Sequence, residues 1–208
     1  LALIVFANVL SIYNKAGASY TRIFEVLETK PEVSSDGQEK NWIKNDNCIE
    51  FKDVSFAYDK KNVLDNLNFT IKAGETIGII GGTGAGKSSL VNLMARFYDP
   101  SKGEILLNGR SIKDYDLQAL RGFIGFVPQY AALISGTIRD NLRLGNHEAT
   151  DDELVRALTI AQGKEMIEDK IDGLDTMIEQ GGKNLSGGQK QRLTIARALV
   201  KNPQILIL

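Results

Sequence analysis

Cysteine and histidine are almost missing from this sequence: each occurs once, as Cys48 and His147, in a chain of 208 residues. A lone cysteine cannot form an internal disulfide, and this pair cannot supply a metal-ligand cluster. Cys48 opens an expected strand and reads as a small semi-buried hydrophobe. His147 lies in the polar turn Gly145-Asn-His-Glu and reads as a solvated loop residue rather than a catalytic one. A charge excess of either sign is missing too, because 25 basic and 26 acidic residues leave a net charge of -1. The chain therefore offers no positive field to nucleic acid or anionic lipid, nucleic acid is not an expected partner, and any phosphate binding must be local. The apolar run Leu1 to Tyr13 (LALIVFANVLSIY) stops short of the roughly 20 residues that span a membrane. It also lacks the basic start and small-residue cleavage site of a signal peptide. Internal repeats and low-complexity segments are absent.

What is present is a globular composition, 43% apolar and 25% charged, enough for one sizeable core with a small subdomain. The N-terminal apolar pattern continues through Ile12, Ala16, Tyr20, Ile23, Phe24 and Leu27, which share one helical face. We read residues 1–30 as the cytoplasmic end of a transmembrane helix and its extension, with Lys15 and Arg22 on the cytoplasmic side; a buried soluble helix is the alternative. Leu1 in place of Met, and a last segment Gln-Ile-Leu-Ile-Leu that resembles the interior of a strand, suggest a piece of a longer protein. Residues 31–47 are polar, aperiodic and contain Pro, Gly and Ser, as a linker does. A folded module is expected over 48–208.

Within it, Ile49, Phe51, Val54, Phe56 and Tyr58 alternate with a slip at Asp53, and Leu67, Phe69 and Ile71 alternate again. These predict strands of a half-exposed antiparallel sheet. Thr76 to Ile80 predicts a short apolar strand running into glycines, and Leu90, Leu93, Met94 and Phe97 predict a helix. After an Asn108-Gly109 turn come a short helix around Leu117 and Leu120 and a strand from Phe123 to Val127. Helical pattern covers Thr137 to about Lys170, with a capping box at Thr150 to Glu153. A last helix runs from about Gly188 to Val200 and stops at Asn202-Pro203.

Two motifs carry chemistry. Gly81, Gly82, Thr83, Gly84, Ala85, Gly86, Lys87 and Ser88 fit G-x-x-x-x-G-K-[ST] between the expected strand and helix. A backbone that curls around a phosphate must point several N–H groups inward, and side chains would obstruct it. Lys87 adds a point charge for the terminal phosphates, Ser88 offers a hydroxyl to Mg²⁺, and the helix start beyond them, with Ser89, favours an anion. Further on, Leu185, Ser186, Gly187, Gly188 and Gln189 open the last helix. Ser186 and Gln189 form an S-x-x-Q capping box, and the two glycines leave a bare N-terminus for a second anion.

With LSGGQ about a hundred residues after the phosphate loop, the chain resembles the ATP-binding cassette (ABC) ATPases, over nearly its whole length from the linker to Leu208. The resemblance implies an α/β P-loop core with an antiparallel β-subdomain in front and a helical subdomain inserted between Gln129 and Leu185. It implies ATP and Mg²⁺ as cofactors. Tyr58 is similar to the aromatic residue that stacks on adenine, and Gln129 in Val-Pro-Gln to the glutamine that reaches Mg²⁺ and the attacking water. Lys87 and Gln129 are thus the expected catalytic residues, and Ser88 and Gln129 the expected metal ligands. Leu185 to Gln189 would act on the ATP of a partner domain. In the family the strand at Gln204 to Leu208 precedes the second catalytic motif, whose acid, glutamate and switch histidine would lie beyond it.

The fused apolar helix, and Ser135-Gly-Thr-Ile-Arg-Asp-Asn141, resemble the exporter branch. That branch implies a multi-pass cell-membrane protein whose ATPase domain is cytoplasmic, paired with a second half-transporter, and exporting a small molecule, lipid or peptide. Tyr130-Ala-Ala-Leu-Ile134 departs from the common exporter pattern. Glu179 and Gln180 resemble the form seen in paired subunits, so a heterodimer stands beside a homodimer. Two rivals remain open on the sequence: a soluble ABC ATPase serving DNA repair or translation, and a non-hydrolysing nucleotide sensor.

Overall fold

The structure is a computed structural model that describes residues 2–59 and 61–208. Leu1, the first residue of the apolar N-terminal run, lies outside the described residues. The chain divides into two compact units, 1–34 and 35–208, so the division falls inside the expected linker.

The first unit is one helix, α1 (Ala2–Glu28), unbroken as its continuous apolar pattern predicts and exposed along its length. Tyr20 and Phe24, one turn apart, bring their rings to 5.0 Å. Among the described residues no helix is long and apolar enough to cross a membrane.

The second unit starts with β1 (Asn47–Ala57), β2 (Asn62–Lys72), α2 (Lys87–Met94), β3 (Lys102–Leu107) and β4 (Arg110–Ser111). These strands form an antiparallel sheet in the order β2-β1-β3-β4. The slip in alternation at Asp53 is a bulge: the register shifts between Phe51 and Val54, and Asp53 takes φ 51°. Asn108 and Gly109, both at positive φ, make the two-residue turn between β3 and β4. Phe51, Val54, Phe56 and Ile105 from the sheet pack on Leu90, Leu93 and Met94 of α2 in one core cluster.

The chain continues through α3 (Leu117–Phe123), β5 (Ile124–Phe126), β6 (Gly136–Thr137), α4 (Ile138–Arg143), α5 (Asp151–Ile160), α6 (Glu165–Glu168), β7 (Met177–Ile178), α7 (Gly187–Val200) and β8 (Ile205–Ile207). β5 and β8 pair in parallel. The helical stretch expected from Thr137 is therefore three helices, and they pack with α7 around Leu142, Leu154, Leu158 and Leu193 as a second core cluster. The result is the expected α/β architecture, with the helical part between Gln129 and Leu185.

One expected element is not formed: Thr76 to Ile80 is exposed and is not a strand. Ile77 and Ile79 line a groove of about 970 Å³ that also carries Phe126, Ile205 and Ile207. A strand requires a backbone neighbour about 4.8 Å away, and among the described residues none pairs with this segment.

Part of the expected linker belongs to the second unit and is packed within it. The N–H groups of Gln38 and Glu39 donate to the Asp114 carbonyl, the Asp116 N–H donates to the Glu39 carbonyl, and Glu39 pairs with Arg110. Trp42 meets Phe123 edge-on at 5.2 Å.

Candidate functional site

The phosphate loop runs from Gly81 into α2. Gly86 is the residue before the helix, at φ 85°, ψ 8°, and no side chain caps the helix start. A Cβ at Gly86 would stand 2.6 Å from Leu64 Cδ2 and 3.2 Å from the Val63 carbonyl oxygen, so both the backbone conformation and the β2 wall demand glycine. At Gly82 and Gly84 a Cβ would meet nothing within 4 Å, which leaves that side of the loop open. Lys87 Nζ donates to the carbonyls of Gly81 and Gly82 at 2.8 and 2.9 Å, so the ammonium is folded back over the loop with one donor to spare. Ser88 is exposed beside it.

Lys87, Ser88 and Gln129 all line the 970 Å³ groove, although Gln129 lies some forty residues on and belongs to the loop after β5. Tyr58, just after β1, does not line this groove; it is tied to α2, where Ser89 Oγ donates to Tyr58 Oη at 3.1 Å. Tyr58 is 53% exposed. Thr83 and Ala85 are exposed in the loop, and Ser89 is buried.

Leu185, Ser186, Gly187, Gly188 and Gln189 do not line this groove, whereas Gln191 and Ile195 of the same helix do. Ser186 is the N-cap of α7. Its hydroxyl accepts from the Gln189 N–H at 3.2 Å while Gln189 Oε1 accepts from the Ser186 N–H at 2.9 Å, the reciprocal box expected from the sequence. Gly187 and Gly188 are exposed, have no positive φ, and a Cβ at either would meet nothing.

The sequence model of a family described as "ABC transporter" matches residues 64–208. The chain belongs to the ABC transporter family. It is 45% identical to ABC transporter B family member 6 of Dictyostelium discoideum over 89% of this chain and 30% of that protein. With the ATP-dependent lipid A-core flippase of Syntrophus aciditrophicus it shares 39% identity over 97% of this chain and 33% of the relative. A solved structure of a bacterial Atm1-family ABC exporter with ATP bound superposes with a TM-score of 0.85 at 36% identity, over 93% of this chain and 34% of that one. The chain thus spans about a third of the length of the relatives it matches.

The donor set of this ABC domain fits a nucleotide that arrives with its own metal. An uncapped helix start, an open glycine loop and a lysine already held above it suit a triphosphate. For Mg²⁺ the groove offers the Ser88 hydroxyl and the Gln129 amide, and among the described residues no group of three or more His, Cys, Asp or Glu could hold a metal. Such a pair retains Mg²⁺ only alongside phosphate oxygens and water.

Sequence reading missed the groups that hold the site together. Arg197 of α7 donates to the Ala132 carbonyl at 2.8 Å and to the Asn141 carbonyl and amide oxygens at 2.9 and 3.0 Å. It thereby fastens the segment after Gln129 to α7, the helix that LSGGQ opens, and burial pushes its guanidinium below the ordinary value. No local pattern announces these long-range pairs. The N-cap box of α4, Thr137 with Asp140, was visible in the sequence as T-x-x-D.

Proposed function

We propose that this chain is the ATP-binding motor domain of an export-type ABC transporter, which clamps on a second such domain when ATP binds and reopens after hydrolysis. The observation that carries the proposal is the separation of two anion-binding helix starts. Lys87 and Ser88 share a groove with Gln129, while Ser186 to Gln189 are not among its lining residues. The bare glycines at 187 and 188 serve no packing in this chain, so the surface they clear is for a phosphate held by another domain.

In this reading the N–H groups of Gly82 to Ser88 and Lys87 Nζ bind the β- and γ-phosphates, and Tyr58 stacks on adenine. The Ser88 hydroxyl and the Gln129 amide oxygen hold Mg²⁺, and Gln129 also orients the attacking water. The bound cation supplies charge neutralisation for in-line phosphoryl transfer, with positioning as the protein's share. Residues 1–30 and the linker to 47 tie the domain, residues 48–208, to membrane helices of a multi-pass cell-membrane protein whose ATPase face is cytoplasmic. The partner is a second half-transporter and the cargo a small molecule, lipid or peptide.

Calorimetry with Mg-ATP on the full chain and on Lys87→Ala tests the reading. Loss of a charge-assisted bond to phosphate should weaken binding by about ten- to hundredfold. Equal affinity in the two proteins would remove the basis for the site.

A further inference from the structure

Resting on the ATP-binding reading above, we propose that Tyr98 is a positioning residue for Tyr58, and so sets how strongly the site prefers an adenine nucleotide to a bare polyphosphate. Tyr58 carries the base platform, but it sits at the end of β1, where a half-exposed ring would otherwise sample several rotamers. Three contacts fix it. Phe56 meets it at 4.8 Å and 80°, Tyr98 at 5.0 Å and 88°, and Ser89 Oγ donates to its hydroxyl. Tyr98 also leans on Phe56 at 5.6 Å, tilted at 48°, so the three rings brace one another. With 53% of its surface exposed, Tyr58 stays open to a base despite these contacts.

Tyr98 is itself delivered by a locked turn. Arg96, 2% exposed and at φ 49°, reverses the chain after α2, and its Nε donates to Asp99 Oδ1 at 3.0 Å. This sends Phe97 toward Phe126 and Arg121, and Tyr98 toward Tyr58. The same helix that presents the phosphate loop at its start therefore aims the ring that aligns the base platform from its end. The platform and the cradle are held at one spacing. No hydrogen bond involves the Tyr98 hydroxyl among the described residues, so the ring alone carries the effect.

The test measures affinities of the full chain for Mg-ATP and for inorganic tripolyphosphate in wild type, Tyr98→Ala and Tyr98→Phe, with thermal melting of each. Tripolyphosphate reports the loop alone; the ratio of the two affinities reports the base platform. In Tyr98→Ala the ratio should fall about three- to tenfold, the scale of one aromatic pair, with tripolyphosphate affinity unchanged. Tyr98→Phe should restore it. A ratio unchanged in Tyr98→Ala, or a loss shared equally by both ligands, overturns the inference. If wild type itself binds neither ligand, the ATP-binding reading fails instead. Should Tyr98→Ala not fold, Tyr98→Leu decides by the same ratio.

Discussion

Asn141 carries four hydrogen bonds on one amide. Its Oδ1 accepts from the Ile134 N–H and from Arg197, and its Nδ2 donates to the carbonyls of Ile134 and Thr137. The residue is fully buried, so water cannot replace any of them. Asn141→Leu, of similar size, would leave a backbone N–H, two carbonyls and a guanidinium N–H unpaired. Allowing for partial relaxation, a loss of about 3 kcal/mol is expected in urea unfolding. Asn141→Asp keeps the acceptor for Arg197 and Ile134 but loses the donor, so it should fall between. Hydrogen exchange at 131–136 should rise in both variants; a Leu variant as stable as wild type would show that the network is incidental.

At the scale of elements, helix ends in the helical region depend on carboxylates. The Glu153 carboxylate accepts from the Thr150 backbone N–H and hydroxyl, and the Asp140 carboxylate accepts from the Thr137 backbone N–H; both lie below the ordinary carboxylate values, backbone bonding being the main cause. Asp175 is lowered by its side-chain bond with Arg139, whose own value is raised by Asp175 and then Asp151. Because these carboxylates are lowered on folding, their stabilisation is present above the ordinary values of 4.5 for Glu and 3.8 for Asp. It is lost as pH falls through the lower folded values. The melting temperature should therefore drop on acidification below about pH 4.5, and Glu153→Gln, which keeps an acceptor but cannot titrate there, should flatten that drop. An identical profile for Glu153→Gln would count against the assignment.

The same elements mark how far the sequence could be read. Thr150 to Glu153 and Ser186 to Gln189 were legible because a capping box is a four-residue local pattern, and the Asp53 bulge because a bulge is a slip in a period of two. Residues 76–80 have strand composition but no strand, since pairing depends on a neighbour that local pattern does not name. The docking of Glu39 and Trp42 and the Arg197 bonds were hidden for the same reason: their partners lie many residues away. Of the candidate site, residue identities were plain, and their grouping was not.

On the scale of the whole molecule, the proposed clamp on a second domain separates what α7 needs from what a partner needs. Within this chain Gly187 and Gly188 have room for a methyl group and ordinary helical φ, and glycine there weakens the helix by up to about 1 kcal/mol relative to alanine. Gly188→Ala should therefore leave the isolated domain as stable or slightly more so, and leave its own Mg-ATP affinity untouched. It should weaken ATP-dependent dimerisation, measured by size-exclusion chromatography with light scattering. Gly187→Asp goes further, because its carboxylate would face the partner's phosphates across a site with no room for a second anion. In a mixed dimer of Gly187→Asp with Lys87→Ala chains, two sites result. One pairs the intact P-loop of the Gly187→Asp chain with the intact signature of its partner, and the other combines both lesions. Under the trans arrangement one site stays whole and half the nucleotide binds. If signature and P-loop instead served each other within a chain, both sites would be damaged and no nucleotide would be held, which would end the proposal.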